Sequence, residues 1–261
     1  MNPTKRQRIY PALRYADAHA AIQFLEAAFG FTRGAVYDGP GQTVGHAELH
    51  LGTATIGLNS ATAPVEDNPW TRVRGGAYVA LADAESVAAR HAQAMAAGIR
   101  IARPLGVTDY GSHDFAAWDA EGHLWGFGTY AYSPAGEPGL SVALAYRDPR
   151  AAIAHLIGAF GFTLGTVTSA ADGTLLQAEL HHGDDVLVVG SEVACGPWGT
   201  ERQATYLRVA DPETHFARAK NAGATIITPP AEAGHGERGY LARDPEGFLW
   251  HFGTARPVLD L

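Results

Sequence analysis

The sequence predicts an α+β fold of four βαβββ modules in two tandem domains, with mixed sheets curled around cavities. Three observations carry this. The segment Asp119 to Thr129, DAEGHLWGFGT, returns as DPEGFLWHFGT at Asp244 to Thr254. The AFGFT of Ala28 to Thr32 returns at Ala159 to Thr163, and the AEL of Ala47 to Leu49 at Ala178 to Leu180. The offset is 131 at Asp17 and Asp148, 128 at Asp83 and Asp211, and 125 at the closing motif, so only short loop deletions separate two copies of one plan.

Each element follows from local pattern. Ile9 to Tyr15 reads as a strand, and Asp17 caps a helix whose Ile22, Leu25 and Phe29 share a face before Gly30 ends it. Arg33 to Tyr37 is a strand and DGPGQ a turn. Thr43 to Leu51 then alternates, with Val44, His46, Glu48 and His50 on one side and Ala47, Leu49 and Leu51 on the other. Ala54 to Asn59 completes the first module. After a Pro-containing loop, Gly76 to Leu81, a helix from Asp83 to Ala97 and strands at Ile99 to Arg103, Phe115 to Trp118 and His123 to Tyr130 form the second. SPAGEPG, residues 133–139, is a linker by composition, so residues 1–132 and 140–261 are the expected domains. The second half repeats the order, with a helix over Pro149 to Phe160 and a new strand over Thr205 to Ala210.

Composition narrows the function. With 46% hydrophobic and 18% charged residues the chain is an ordinary globular protein. A formal net charge of -8 argues against a nucleic-acid partner, which needs clustered basic surface. Cys195 is the single cysteine, so no internal disulfide framework exists and a reducing, cytoplasmic setting is expected. No apolar run is long enough to span a bilayer, so no membrane partner is expected.

The paired βαβββ units, the Asp after each module's first strand, the AFGF helix close and the D-P-E-G-x-L-W ending together resemble the vicinal oxygen chelate superfamily, the group of glyoxalase I, extradiol dioxygenases and bleomycin resistance proteins. The resemblance covers residues 9 to 130 and 140 to 254. It implies sheets curled around a cavity, and in the metalloenzymes His, Gln or Glu ligands on first and closing strands. Carried onto this chain, those positions are Tyr10, Gly76, Ser141 and Ala204, then Gly126 and His251, with Gly57 and Val188 on fourth strands. Only His251 is a metal-binding side chain, whereas a catalytic divalent site needs about three protein ligands. The resemblance therefore leans toward the metal-free, bleomycin-resistance-like branch. No cofactor is expected, with Zn, Fe, Ni or Mn left open under the enzyme alternative.

Strand parity extends the reading. Tyr78, Tyr206 and Arg208 share the cavity face, while Trp125, Phe127, Trp250 and Phe252 turn into the core. His46, Glu48 and His50, with Gln177, Glu179 and His181 in the second copy, form polar ladders suited to hydrogen bonding, to acid and base work or, less readily, to a metal, since alternate residues are roughly 7 Å apart. Arg208 is suited to a ligand carboxylate or to a protein acid such as Glu179. Trp70 and Trp198, in matching Pro-Trp loops, offer flat surfaces for stacking or plug the loops onto the core. His19, His91, His155 and His215 fall on helices and read as surface residues. The expected ligand-binding set is Tyr78, Tyr206, Arg208, His46, Glu48, Gln177, Glu179, Trp70, Trp198 and His251, with no metal ligands and no assigned catalytic residue. The expected function is metal-independent binding of an aromatic or amphipathic small molecule, as a drug-sequestering protein does. The alternative is a glyoxalase-like lyase, isomerase or dioxygenase. The chain is expected to be a pseudo-two-fold monomer with further dimerisation open.

Overall fold

The computed structural model describes residues 7, 9–52, 54–61, 77–108, 111–130, 139–192, 204–233 and 237–255. Trp70, Gly76, Cys195, Trp198 and residues 133–138 of the linker lie outside them, and Gly139 already belongs to a strand.

The described residues form two compact units: Pro11 to Ser141, and Val142 onward together with Gln7, Ile9 and Tyr10. In the N-terminal unit, β1 (Ile9–Tyr15), α1 (Ala18–Phe29), β2 (Thr32–Asp38), β3 (Val44–Leu51) and β4 (Ala54–Ser60) make the first module. Its strands run in the order β2-β3-β4-β1, with β1 parallel to β4 and the rest antiparallel. The second module is β5 (Ala77–Ala80), α2 (Ala84–Ala96), β6 (Ile101–Val107), β7 (His113–Trp118) and β8 (Leu124–Gly128), ordered β6-β7-β8-β5. The start of β9 (Gly139–Tyr146) pairs antiparallel with β5.

The C-terminal unit repeats the plan with α3 (Pro149–Phe160), β10 (Thr163–Ser169), β11 (Leu175–His182) and β12 (Asp185–Ser191) beside β9. Then follow β13 (Ala204–Arg208), α4 (Pro212–Asn221), β14 (Thr225–Ala233), β15 (Glu237–Arg243) and β16 (Leu249–Gly253). The expected α+β class and the four modules are the observed ones. No helix among the described residues is long and apolar enough to cross a membrane.

Each helix begins on an aspartate for a physical reason. The carboxylates of Asp17, Asp83, Asp148 and Asp211 accept from backbone N–H groups in the first turn, which no intrahelical carbonyl can reach. Each unit has its own core under its helices. Phe29 packs 5.5 Å from Trp125 and 5.0 Å from Phe127, and Phe160 sits 5.2 Å from Trp250 and 4.8 Å from Phe252. These four closing-strand aromatics are fully buried, as parity predicts.

The helix histidines depart from the surface reading, because three of them use their rings as packing surface. His91 lies edge-on to Phe115 and His155 to Phe160, both at 5.1 Å. His215 meets the Tyr240 hydroxyl at 2.6 Å and the Phe160 carbonyl at 3.1 Å. Only His19 is exposed as expected.

The repeated motif at Asp119 and Asp244 ties one module to the next within each unit. Asp119 Oδ2 accepts from the Tyr15 hydroxyl at 2.6 Å and from Trp125 Nε1 at 3.1 Å. Glu121 accepts from the backbone N–H groups of Ala16 and Asp17 at 2.6 and 2.9 Å, fixing the entry to α1. Asp244 and Glu246 do the same for Tyr146, Trp250, Arg147 and Asp148.

Gly30 closes α1 with φ of 68°, a left-handed conformation that glycine adopts without a Cβ clash. A Cβ there would run into the guanidinium of Arg90, which donates to the Phe29 carbonyl at the helix end. Gly30→Ala is expected to cost about 1–2 kcal/mol from the backbone conformation plus a displaced arginine. Urea unfolding of the two proteins measures it, and an unchanged midpoint would contradict this assignment.

Candidate functional site

In the C-terminal unit, β13 and β16 present two faces. Leu207, Trp250 and Phe252 enter the core under α3 and α4, which sends Tyr206, Arg208, His251 and Gly253 to the opposite face. Register places Tyr206 beside His251 and His251 beside Leu241, while Arg208 lies beside Gly253 and Gly253 beside Gly239. Tyr10, from the start of β1, lies 5.9 Å from the Tyr206 ring, and His251 meets Tyr206 edge-on at 4.9 Å.

The glycine row is what lets these rings lie down. A Cβ on Gly253 would stand 2.9 Å from the Tyr206 hydroxyl oxygen. One on Gly239 would stand 3.0 Å from His251 Nε2 and 2.6 Å from the Phe252 carbonyl oxygen. The Tyr206 hydroxyl donates a long bond of 3.4 Å to the Ala255 carbonyl. Burial, and then the charge of Glu237, push its pKa up, so it remains a protonated donor. Burial pulls His251 down to about 4, which keeps its imidazole neutral near pH 7. Arg208 is half-buried on this face, and among the described residues it forms no hydrogen bond or ion pair. Its Nε is buried without a partner.

The matching face of the N-terminal unit is filled differently. Tyr78 lies beside Gly126, and Asp114 beside Gly128. Asp114 is 1% exposed, accepts from the Tyr78 hydroxyl at 3.2 Å and from Ser112 Oγ, and pairs with Arg103 at 3.1 Å. The Tyr78 hydroxyl oxygen in turn accepts from the Tyr130 N–H at 3.1 Å. Here a cation of the same unit answers a buried carboxylate, although the Arg103 Nε, like that of Arg208, is buried without a hydrogen bond among the described residues.

The two polar ladders stand where alternation puts them. Ala47, Leu49 and Leu51 are in the core, and His46, Glu48 and His50 are on the other face of β3; Val44, which alternation sets with the histidines, is instead in the core, where the β2–β3 pairing slips between Tyr37 and Asp38. His46 stacks on Tyr37 with its Nε2 3.5 Å from Glu48 Oε1, whereas His50 turns to Thr55 at 3.0 Å. Glu48 is 5% exposed, and its Oε2 has no hydrogen-bond partner among the described residues. In the C-terminal unit, His181 Nε2 lies 3.6 Å from Glu179 Oε2, and Gln177 sits two residues before Glu179 on the same strand.

These ladders do not converge on an ion. Among the described residues no group of three or more His, Cys, Asp or Glu side chains could hold a metal. At the positions the resemblance marks, Tyr10, Ser141, Ala204, Gly126, Gly57 and Val188 offer no ligand set around His251. The described residues do not fit the divalent site of the metalloenzymes. Of the expected site residues, Tyr206, Arg208 and His251 come together in the C-terminal unit, and Tyr78 is joined by Asp114, Arg103 and Ser112, which sequence reasoning missed. Alternation does flag Asp114, since Phe115 and Ala117 are core and their neighbours must face away.

The sequence model of the Glyoxalase/Bleomycin resistance protein/Dioxygenase superfamily matches residues 9–127 and 140–252, and the chain belongs to that superfamily. A 135-residue stretch is 32% identical to an uncharacterized protein of Mycobacterium tuberculosis, covering 48% of this chain and 78% of that protein. The crystal structure of glyoxalase I from Zea mays superimposes with a TM-score of 0.74 at 18% identity, over 95% of this chain and 92% of that one. A putative dioxygenase from Bacillus subtilis gives 0.64 at 11% identity, over 95% and 86%. At these identities the structural likeness is one of fold.

Proposed function

We propose that this protein binds an aromatic or amphipathic small molecule without a metal, in the manner of the drug-sequestering members of its superfamily, and that Tyr206, Arg208 and His251 with Tyr10 receive it. The observation that supports this reading is Arg208, without an ion pair among the described residues, on the face that carries Tyr206, whose ring lies 5.9 Å from that of Tyr10. A half-buried cation with no ion pair among the described residues is costly to maintain, and a ligand that pairs with it offsets that cost. Tyr206 and Tyr10 supply stacking surface, and neutral His251 supplies a hydrogen bond.

The test is a ligand-observed NMR screen of aromatic fragments, with affinities of the hits measured on the wild type and on Tyr206→Ala. Loss of the aromatic anchor is expected to weaken binding by about tenfold or more, with the melting temperature nearly unchanged. Hits that bind the variant equally well would remove Tyr206 from the site.

A second reading, a glyoxalase-like enzyme, is favoured by one observation: the buried, unpartnered Oε2 of Glu48 beside His46. A carboxylate so placed has a lone pair available to a substrate proton. Under this reading His46→Ala with Glu48→Gln abolishes turnover of whatever substrate an activity screen finds, and full activity in that double variant would end it.

A further inference from the structure

The two units solve the same local problem with opposite charge arrangements. In the N-terminal unit, β5 carries Ala80 beside Gly128, β7 carries Asp114 on the other side of that glycine, and Arg103 reaches in from β6. In the C-terminal unit the same register holds Arg208 beside Gly253, Gly239 on its other side, and Thr228 on β14 at the place of Arg103. One unit therefore has a cation with its own carboxylate. The other keeps a cation and has a glycine at the place of the carboxylate.

The internal carboxylate also shows where an anion fits. Asp114 lies over Gly128, in space a Cβ there would occupy, and the Tyr78 hydroxyl comes to the same spot to donate to it. The Tyr206 hydroxyl likewise leans over Gly253. Among the described residues this hydroxyl makes one hydrogen bond, the long one to Ala255, so a stronger acceptor would compete for that proton.

We infer that the C-terminal unit binds a carboxylate-bearing aromatic molecule, its carboxylate seated over Gly253 where it accepts from Tyr206 Oη and pairs with Arg208, while Asp114 fills the equivalent place in the N-terminal unit. This rests on the small-molecule reading above and specifies the ligand's chemical class. Glu237 faces the same side near Tyr206 and opposes an anion there. The guanidinium, a forked donor that forms no ion pair among the described residues, is the group that overcomes this repulsion. Because Asp114 answers Arg103 internally, one carboxylate per chain is expected rather than two.

The experiment is titration calorimetry of the full chain with benzoate, phenylacetate and 4-hydroxybenzoate, each against its primary amide. The acids are expected to bind at least about tenfold more tightly than the amides, at one site per chain. Arg208→Ala is expected to erase that preference while circular dichroism stays native, and Arg208→Lys to restore part of it. Acids and amides binding equally, or an acid preference that survives Arg208→Ala, would overturn the carboxylate assignment and leave small-molecule binding standing. Binding of neither series would overturn both.

Discussion

Asp244→Ala is expected to lower the stability of the C-terminal unit by about 3–5 kcal/mol, because it leaves several buried donors without an acceptor at about 1–3 kcal/mol each. The donors are the Tyr146 hydroxyl at 2.6 Å, Trp250 Nε1 at 3.2 Å, and the backbone N–H groups of Phe248 and Glu246 at 3.0 and 3.1 Å. Burial pushes the carboxyl's pKa up despite these bonds, so the group is held at a desolvation cost that only its partners offset. Asp244→Asn keeps one acceptor oxygen and should lose about half as much. Urea unfolding followed by Trp fluorescence and circular dichroism would separate the two variants. A loss below about 1 kcal/mol in the alanine variant would show that the fold can satisfy Tyr146 and Trp250 another way. Asp119, with Tyr15 and Trp125, is expected to behave alike in the N-terminal unit.

That device explains what was legible in the chain and what was not. The Asp-x-Glu-Gly turn is visible because its residues are contiguous and occur twice. Its partners Tyr15 and Tyr146 are not, since they lie 104 and 98 residues from the aspartates they bind. Only their recurrence, each two residues before a capping aspartate, hints at a shared task. The order of elements was legible because aspartate caps, glycine stops and two-residue alternation are local signals. Alternation also placed Tyr206 and Arg208 together on one face and sent Trp250 and Phe252 to the other. It could not say that Arg208 forms no ion pair among the described residues, because Glu179, a partner suited to it by charge, sits by His181 instead, and charge pairing depends on three-dimensional reach. Nor could it separate His19 from His215: both are helix residues, but His215 points at Tyr240 across the core boundary. Trp70 and Trp198 lie outside the described residues, and their stacking role stays with the sequence reading.

Acid is expected to destabilise the C-terminal unit well above the carboxylate range, chiefly through two histidines buried in their neutral form, with His155, which burial also pulls down, adding a smaller share. His215 is pulled down to about 4, chiefly by burial, against the opposing bond to the Phe160 carbonyl and with help from the charges of Arg218 and His182. His251 is pulled down to about 4 by burial alone. In the unfolded chain each titrates near 6.5. Between about 4 and 6.5 the unfolded state therefore binds more protons than the folded one, and the free energy of unfolding rises with pH across that window. The contribution is fully present above 6.5 and is lost as pH falls toward 4, at an upper bound of about 3 kcal/mol for each histidine. The raised pKa of Asp244 acts with the opposite sign at the acidic end, where the folded state holds a proton the unfolded chain releases, so the steepest loss belongs between pH 6 and 5. Urea midpoints at pH 7.5, 6, 5 and 4.5 would trace this, and replacing both His215 and His251 with glutamine should flatten most of the slope. Because His251 stands edge-on to Tyr206, protonating it would also put a second cation on the face that carries Arg208. The single variant His251→Gln separates these effects: it should remove only half of the acid sensitivity of stability, while stripping carboxylate binding of any strengthening it shows as pH falls through the same window.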